Sequence, residues 1–301
     1  MSELTIPPAA RPTIPRGALG AAAAITYVFL WASAFVPSRV LARGAPPLGI
    51  LVLRFLFAGG VLLAIAVAAR LPIPRDRATW LRLFALGLGG NAIYLGANYI
   101  ALRHLSAGMG SIIASTNPLI VALAAPFLLG EPLTKRKLLG LGLGFSGVVL
   151  AMHARATTHE ARLEDVLLAL AGVVAFVGSN VFYKRMKERP HPLVLNGGQL
   201  FCAGVALIPA AFVREGVPHL VWTAPVVWSL AYLVLVLSVG ASMLWFWILQ
   251  HGEASRVSAW FFLTPAFGLL LAAALLGEQL VPLDGVSLAV IATGLWLAAR
   301  G

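Results

Sequence analysis

The chain has 301 residues, of which 60% are hydrophobic and only 11% charged, and its mean hydropathy is +0.91. A soluble domain carries about 25% charged residues, so a water-soluble fold would have nowhere to hide this much apolar surface. The net charge of +11 does not indicate a nucleic-acid partner, because the basic residues stand in short clusters between long apolar runs rather than on one polar face.

In chain order, residues 1–17 are Pro-rich and polar and read as a disordered cytoplasmic N-terminus without a cleavable signal peptide. A bilayer core about 30 Å thick needs about 20 apolar helical residues. Ten such runs follow, at 18–41, 47–69, 81–101, 106–129, 137–154, 165–184, 192–213, 225–249, 255–276 and 282–299. Breaks such as Ala45-Pro46-Pro47, Leu71-Pro72-Ile73-Pro74 and Arg189-Pro190-His191-Pro192 separate them. The expected fold is an all-α integral membrane protein of ten transmembrane helices.

Lys and Arg assign the sides. Fifteen lie on the side that the termini share, in clusters such as Arg70, Arg75, Arg77 and Arg82, or Lys135, Arg136 and Lys137. Six lie opposite (Arg39, Arg43, Arg103, Arg155, Arg162, Arg214), and Arg54 falls inside a span. Both termini are therefore expected in the cytoplasm, with the chain in a bacterial inner membrane. Cys202 is the only cysteine, which excludes an intrachain disulfide.

An internal repeat is the strongest pattern. His104, Ser111, Pro118, Gly130, Glu131, Leu133 and Gly147 recur 147 residues later as His251, Ser258, Pro265, Gly277, Glu278, Leu280 and Gly294. Earlier in the copy, Arg39 aligns with Lys184 and Arg54 with Gln199, at an offset of 145. The repeat divides the chain into a first five-helix unit at 18–154, a loop at 155–164 and a second unit at 165–299. An odd number of spans per copy inserts the second unit upside down, giving inverted halves around a central cavity.

This helix–Pro–helix–Gly-Glu-x-Leu segment, present twice in a ten-span chain, resembles the drug/metabolite transporter superfamily and, within it, the EamA family. The aromatic-rich second half is similar to the YddG-type exporters, whose substrates include aromatic amino acids. The resemblance implies a carrier with a cavity between its halves. Small drug antiporters of that superfamily use a membrane-embedded glutamate, whereas here no Asp or Glu falls near the middle of any span. Facilitated export down a gradient is the expectation, rather than exchange for protons.

Candidate substrate-binding residues are those whose polarity would be costly toward lipid. Asn91, Tyr94 and Asn98 follow a helical i, i+3, i+7 spacing in the third span, and Ser238, Ser242 and Trp245 share a face in the eighth. Interhelical hydrogen bonding is the alternative for both stripes. Ser111 and Ser115 in the fourth span, and Trp260 and Thr264 in the ninth, sit beside Pro118 and Pro265. Each proline deletes one helical hydrogen bond and makes either a hinge or a static packing kink. Arg54 either binds a substrate carboxylate or is a structural arginine bonded to helix carbonyls, and Trp31 can wall the cavity.

The expected partners are membrane lipid and a small-molecule substrate, an amino acid or other small zwitterion or neutral metabolite. Ten helices suffice to enclose a cavity in a monomer. No cofactor, metal or catalytic residue is expected. Glu131 and Glu278 follow Gly at helix ends and read as turn residues. Gly144-Phe145-Ser146-Gly147 fits the Gly-x-Ser-Gly of intramembrane serine proteases, but Ser146-Gly147 recurs as Thr293-Gly294, which favours a small-residue helix interface.

Overall fold

The computed structural model describes residues 18–117, 119–121, 123–124, 134–156, 162–217, 220–250 and 263–299. Every regular element among them is helical. Helix lies in each of the ten apolar runs. Five stretches are long and apolar enough to cross a bilayer: Leu19–Gly44, Pro47–Ala68, Leu163–Tyr183, Pro192–Glu215 and Ala224–Trp245. Thr264–Leu276 and Pro282–Leu297 are shorter apolar helices. Large apolar side chains such as Phe57, Val67, Leu139, Val149, Leu167 and Phe212 point outward. A soluble protein does not expose patches of that kind, and lipid is the solvent that suits them.

The first run is split into α1 (Ala18–Ser33) and α2 (Phe35–Gly44) by a turn at Ala34. Pro37 explains the break, because it lacks the N–H that would bond the Ser33 carbonyl. α3 is Pro47–Ala68, with proline in its first turn. Asp76 caps α4 (Arg77–Gly87) by accepting from Thr79 N at 2.7 Å, a bond that holds its carboxyl below the usual carboxylate range. The chain then winds as a π-helix over Leu88–Ile93 and returns to α-helix in α5 (Tyr94–Ala101). α6 is Ala107–Ala114, capped by Ser106 and closed by a turn at Ser115 and Thr116. α7 (Lys135–Ala156) completes the first unit.

The second unit repeats the plan with α8 (Leu163–Arg185), α9 (Pro192–Glu215) and α10 (Ala224–Ala231). A second π-helix covers Tyr232–Ala241 and leads into α11 (Ser242–Gln250). α12 (Thr264–Leu276) and α13 (Pro282–Ala299) follow. Adding 147 to 88–93 gives 235–240, inside the second π segment, so this irregularity is part of the repeat.

Packing follows the repeat in pairs. The most extensive contacts are α3 with α9 and α7 with α13, each a helix against its own repeat mate. Close approach is made by glycine. A Cβ on Gly59 would stand 2.5 Å from Phe201 N, and one on Gly204 would stand 2.9 Å from the Leu56 side chain. Gly204 is Gly59 shifted by 145, and Phe201 is Leu56 shifted likewise. In the other pair, a Cβ on Gly147 would stand 2.6 Å from the Ile291 side chain and one on Gly294 2.5 Å from Gly144 N. Here too the partners are exchanged, by 147.

Polar contacts gather at one end of the bundle. Glu215, the last residue of α9, accepts from Leu48 N at 2.9 Å and Gly49 N at 2.8 Å. Glu278 accepts from Ala107 N at 2.7 Å and Gly108 N at 3.1 Å, and lies 3.6 Å from Arg39 Nε. His104 Nδ1 stands 3.1 Å from the Asp165 carboxylate, and Arg43 Nε donates to Arg103 O at 3.2 Å. The connections near residues 45, 104, 163, 216 and 278 therefore share one end. At the opposite end Leu83, Leu195 and Cys202 pack with Trp80 and Tyr183. Cys202 is a buried apolar filler there.

Candidate functional site

An aromatic run crosses the middle of the bundle and joins both units. Trp245 of α11 stacks on Tyr27 of α1 at 4.9 Å between ring centroids, and Tyr27 lies 6.4 Å from Trp31. Trp31 is 6.1 Å from Phe176 of α8, which lies 4.8 Å from Tyr94 of α5. The break between α1 and α2 sits beside this run. Ser33 donates to Leu30 O at 2.7 Å, and its hydroxyl lies 2.6 Å from the Tyr232 hydroxyl in the second π segment. Span 1 is thereby tied to span 8 at its weakest point.

The π segments place the polar groups. Leaving the α pattern releases carbonyls that need other donors. Ser179 of α8 donates to Leu86 O at 3.1 Å in the first unit. In the second, Ser238 O receives Ser242 Oγ at 2.6 Å and Asn196 Nδ2 at 3.4 Å. Asn196 Nδ2 also donates to Ser242 Oγ at 2.7 Å, and Gln199 Nε2 to Asn196 Oδ1 at 3.0 Å. The second unit thus satisfies the polar side chains around its π segment.

The first unit does not. Asn91, in the π segment, is half-buried, and its amide takes no hydrogen bond among the described residues. The Tyr94 hydroxyl likewise has no hydrogen-bond partner there. Arg54 is only 7% exposed and donates from Nη1 to Tyr99 Oη at 3.2 Å, while its Nε is buried without an acceptor. Its guanidinium carbon lies 5.8 Å from the Phe55 ring.

Of the residues singled out from the sequence, Trp31, Tyr94 and Trp245 belong to the aromatic run, with Asn91 in the adjacent turn of span 3. Asn98 is elsewhere. It is 3% exposed, donates to Tyr94 O at 2.8 Å, and fits against Gly172 of α8. The Asn98 amide thus serves its own helix and the crossing with α8, whereas Asn91 lies in the π segment. The offset relates Asn98 to Trp245 and Gly172 to Tyr27. One crossing is therefore filled by an amide against glycine, and its mate by a Trp–Tyr stack.

Ser111 donates to Gly108 O and fits onto Gly268 of α12. Ser115 donates to Ile112 O at 2.6 Å. Ser238 and Ser242 belong to the Asn196 network. Thr264 is buried, with no hydrogen-bond partner at its hydroxyl. Pro265 occupies the first turn of α12, where a missing N–H costs no hydrogen bond. Pro118 and Trp260 lie outside the described residues, as do Glu131, His251 and Ser258.

Ser146 donates to Gly142 O at 2.8 Å and Leu143 O at 3.0 Å on its own helix, while Gly147 beside it abuts α13. The sequence reading missed Tyr27, Tyr99, Phe176, Asn196 and Tyr232. Two had signals: Tyr27 is one turn before Trp31, and Phe176 is Trp31 shifted by 145.

An aromatic run made by both units lies inside an all-helical bundle whose outer face is apolar, the build of a polytopic membrane protein. The chain belongs to the EamA-like transporter family, whose sequence profile matches residues 18–152 and again 165–300. It is 30% identical over 254 residues to the uncharacterized transporter YvbV of Bacillus subtilis, covering 84% of this chain and 82% of that protein. A probable amino-acid metabolite efflux pump of Escherichia coli is 25% identical over 288 residues, covering 92% and 94%. A Salmonella typhimurium protein of the same name matches equally. A solved crystal structure superposes with a TM-score of 0.67 at 20% identity, over 93% of this chain and 96% of its own, so the fold is shared.

Proposed function

We propose that the protein is a carrier for small metabolites, with amino acids, aromatic or otherwise neutral, as the best-matched class. It works by alternating access between two inverted five-helix halves. The observation that carries this reading is the exchange of contacts by the repeat offset around a centre built by both units. Gly59 on Phe201 pairs with Gly204 on Leu56, and Gly147 on Ile291 with Gly294 on Gly144. Such a centre can open to either side by rocking one half against the other. The relatives named as amino-acid metabolite efflux pumps support the substrate class.

The substrate lies against Trp31, Tyr94 and Trp245, with Asn91 and Arg54 supplying polar contacts. Asn98, Ser111, Ser115, Ser238, Ser242 and Thr264 shape the surrounding crossings; Trp260 is assigned to the same substrate set from the sequence, and Pro118 and Pro265 are assigned as hinge points. Both termini face the cytoplasm in this reading, which the excess of Lys and Arg on their side supports. Without an acid mid-span, the gradient of the substrate itself sets the direction of net flux.

Counterflow in proteoliposomes tests the reading: preloaded cold substrate accelerates uptake of labelled substrate, and the rate saturates. Unsaturable flux, or no flux across a panel of amino acids, sugars, nucleosides and cationic dyes, contradicts it. Asn91→Ala removes a half-buried amide that takes no hydrogen bond among the described residues. It is expected to change substrate preference, or to slow transport about ten-fold through loss of one hydrogen bond, with folding intact. Unchanged kinetics for every solute would remove Asn91 from the site.

A further inference from the structure

We infer that Arg54 is the carboxylate receptor of the transport site, and that it sets selectivity for carboxylate-bearing solutes over their neutral or cationic analogues. This rests on the central cluster being the transport site.

Arg54 is the eighth residue of α3, about 10 Å along the helix from its start at 1.5 Å per residue. A cation at that depth must be compensated or wet. Among the described residues no carboxylate lies within salt-bridge distance of it. The acids that could have served are engaged: Glu215 on α3's first turn, Glu278 on α6's, Asp165 beside His104, and Asp284 at Val281 N. A structural arginine would be bonded to helix carbonyls, and no described carbonyl accepts from this one.

What it has instead is a neutral hydroxyl and the Phe55 ring. Tyr99 is fully buried and holds Nη1, which fixes the plane of the guanidinium and leaves the Nε edge without an acceptor. That edge is the donor pair a carboxylate takes side-on. Tyr99 stands on α5 five residues after Tyr94, whose ring packs on Phe176 in the aromatic run. The cation is therefore held by the same short helix that carries one end of the aromatic wall.

The second unit offers no matching pole. Gln199, the repeat mate of Arg54, is neutral and is bonded to Asn196. One cation beside one aromatic wall fits a solute with one carboxylate and one apolar or aromatic side chain. A bound carboxylate also neutralises Arg54, so the loaded carrier crosses between its two states without a bare buried charge.

The test uses the amino acid with the fastest wild-type counterflow in the panel, together with its carboxamide. The expected result is that the wild type favours the carboxylate about ten-fold or more, the worth of a charged hydrogen bond. Arg54→Gln should remove the preference, bringing the acid-to-amide ratio of counterflow rates to about one, and Arg54→Lys should keep part of it. Tyr99→Phe covers the case in which Arg54→Gln does not fold: the KM for the acid rises several-fold and that for the amide does not. A wild type indifferent to the carboxylate overturns the inference, as does an Arg54→Gln protein that keeps the preference, or a Tyr99→Phe protein with an unchanged acid-to-amide ratio. Absence of saturable counterflow for every solute overturns the carrier reading itself, and this inference with it.

Discussion

Glu278→Ala is expected to loosen the arginine-bearing end of the bundle and to lower thermal stability by several degrees. The reason is what the carboxylate holds. α12 ends in Gly277 at φ 66°, ψ 22°, a left-handed turn that suits glycine. The turn swings Glu278 onto the first turn of α6, where two backbone N–H groups and the helix dipole favour an anion. Arg39 of α2 completes the contact, and both side chains are 10% exposed or less. Removing the carboxylate takes an acceptor from two backbone N–H groups and a counter-charge from Arg39, each hydrogen bond to a charged group contributing about 1.5–3 kcal/mol. Glu278→Gln keeps an acceptor but loses the charge, so its loss should be smaller. A thermal scan of the purified variants in one detergent checks the order wild type, Gln, Ala. Equal melting temperatures would mean that the contact closes nothing.

Gly294→Val is expected to cost more, because nothing nearby can give way. An added Cβ meets Gly144 N at 2.5 Å and Gly140 O at 2.6 Å, both backbone atoms of α7. The two helices must separate along their closest crossing, which in a bilayer is held by packing rather than by expulsion of water. Overpacking costs about 1–3 kcal/mol where side chains can shift, and a backbone clash falls at or beyond the upper end. Gly142→Ala is the control. It lies on α7 between Gly140 and Gly144, nothing stands within 4 Å of its Cβ position, and alanine favours helix over glycine. Folded yield and monodispersity should collapse for Gly294→Val and hold for Gly142→Ala. Equal yields would contradict the packing account.

Much of this architecture is written in coarse chemical signals. The ten apolar runs, their Pro and Gly breaks and the repeat of Gly-Glu-x-Leu all follow from composition and order, and helix lies in every run. The site was less legible, for identifiable reasons. Hydropathy does not distinguish a π turn from an α turn inside an apolar run, so Asn91, Tyr94 and Asn98 read as one stripe. The structure sends Asn98 into the crossing with Gly172 and gives the Asn91 amide no hydrogen bond among the described residues.

Glu278 shows the limit of local reading from the other side. Gly277-Glu278 announces a helix end, but the N–H groups that receive the carboxylate are 171 and 170 residues away. Only the repeat could have hinted at the Trp31–Phe176 contact, since those residues are offset mates. Arg54 was visible as a charge within an apolar run. Its dependence on Tyr99, and the lack of an acceptor at Nε, required the packing.

The account turns on a centre that faces each side of the membrane in turn. Asn91→Cys in a Cys202→Ser background tests this directly, because the parent then has no other thiol. A membrane-impermeant thiol reagent applied to right-side-out or inside-out vesicles is predicted to modify residue 91 from either face, more slowly at saturating substrate. Modification from one face alone, at every substrate concentration, would contradict alternating access.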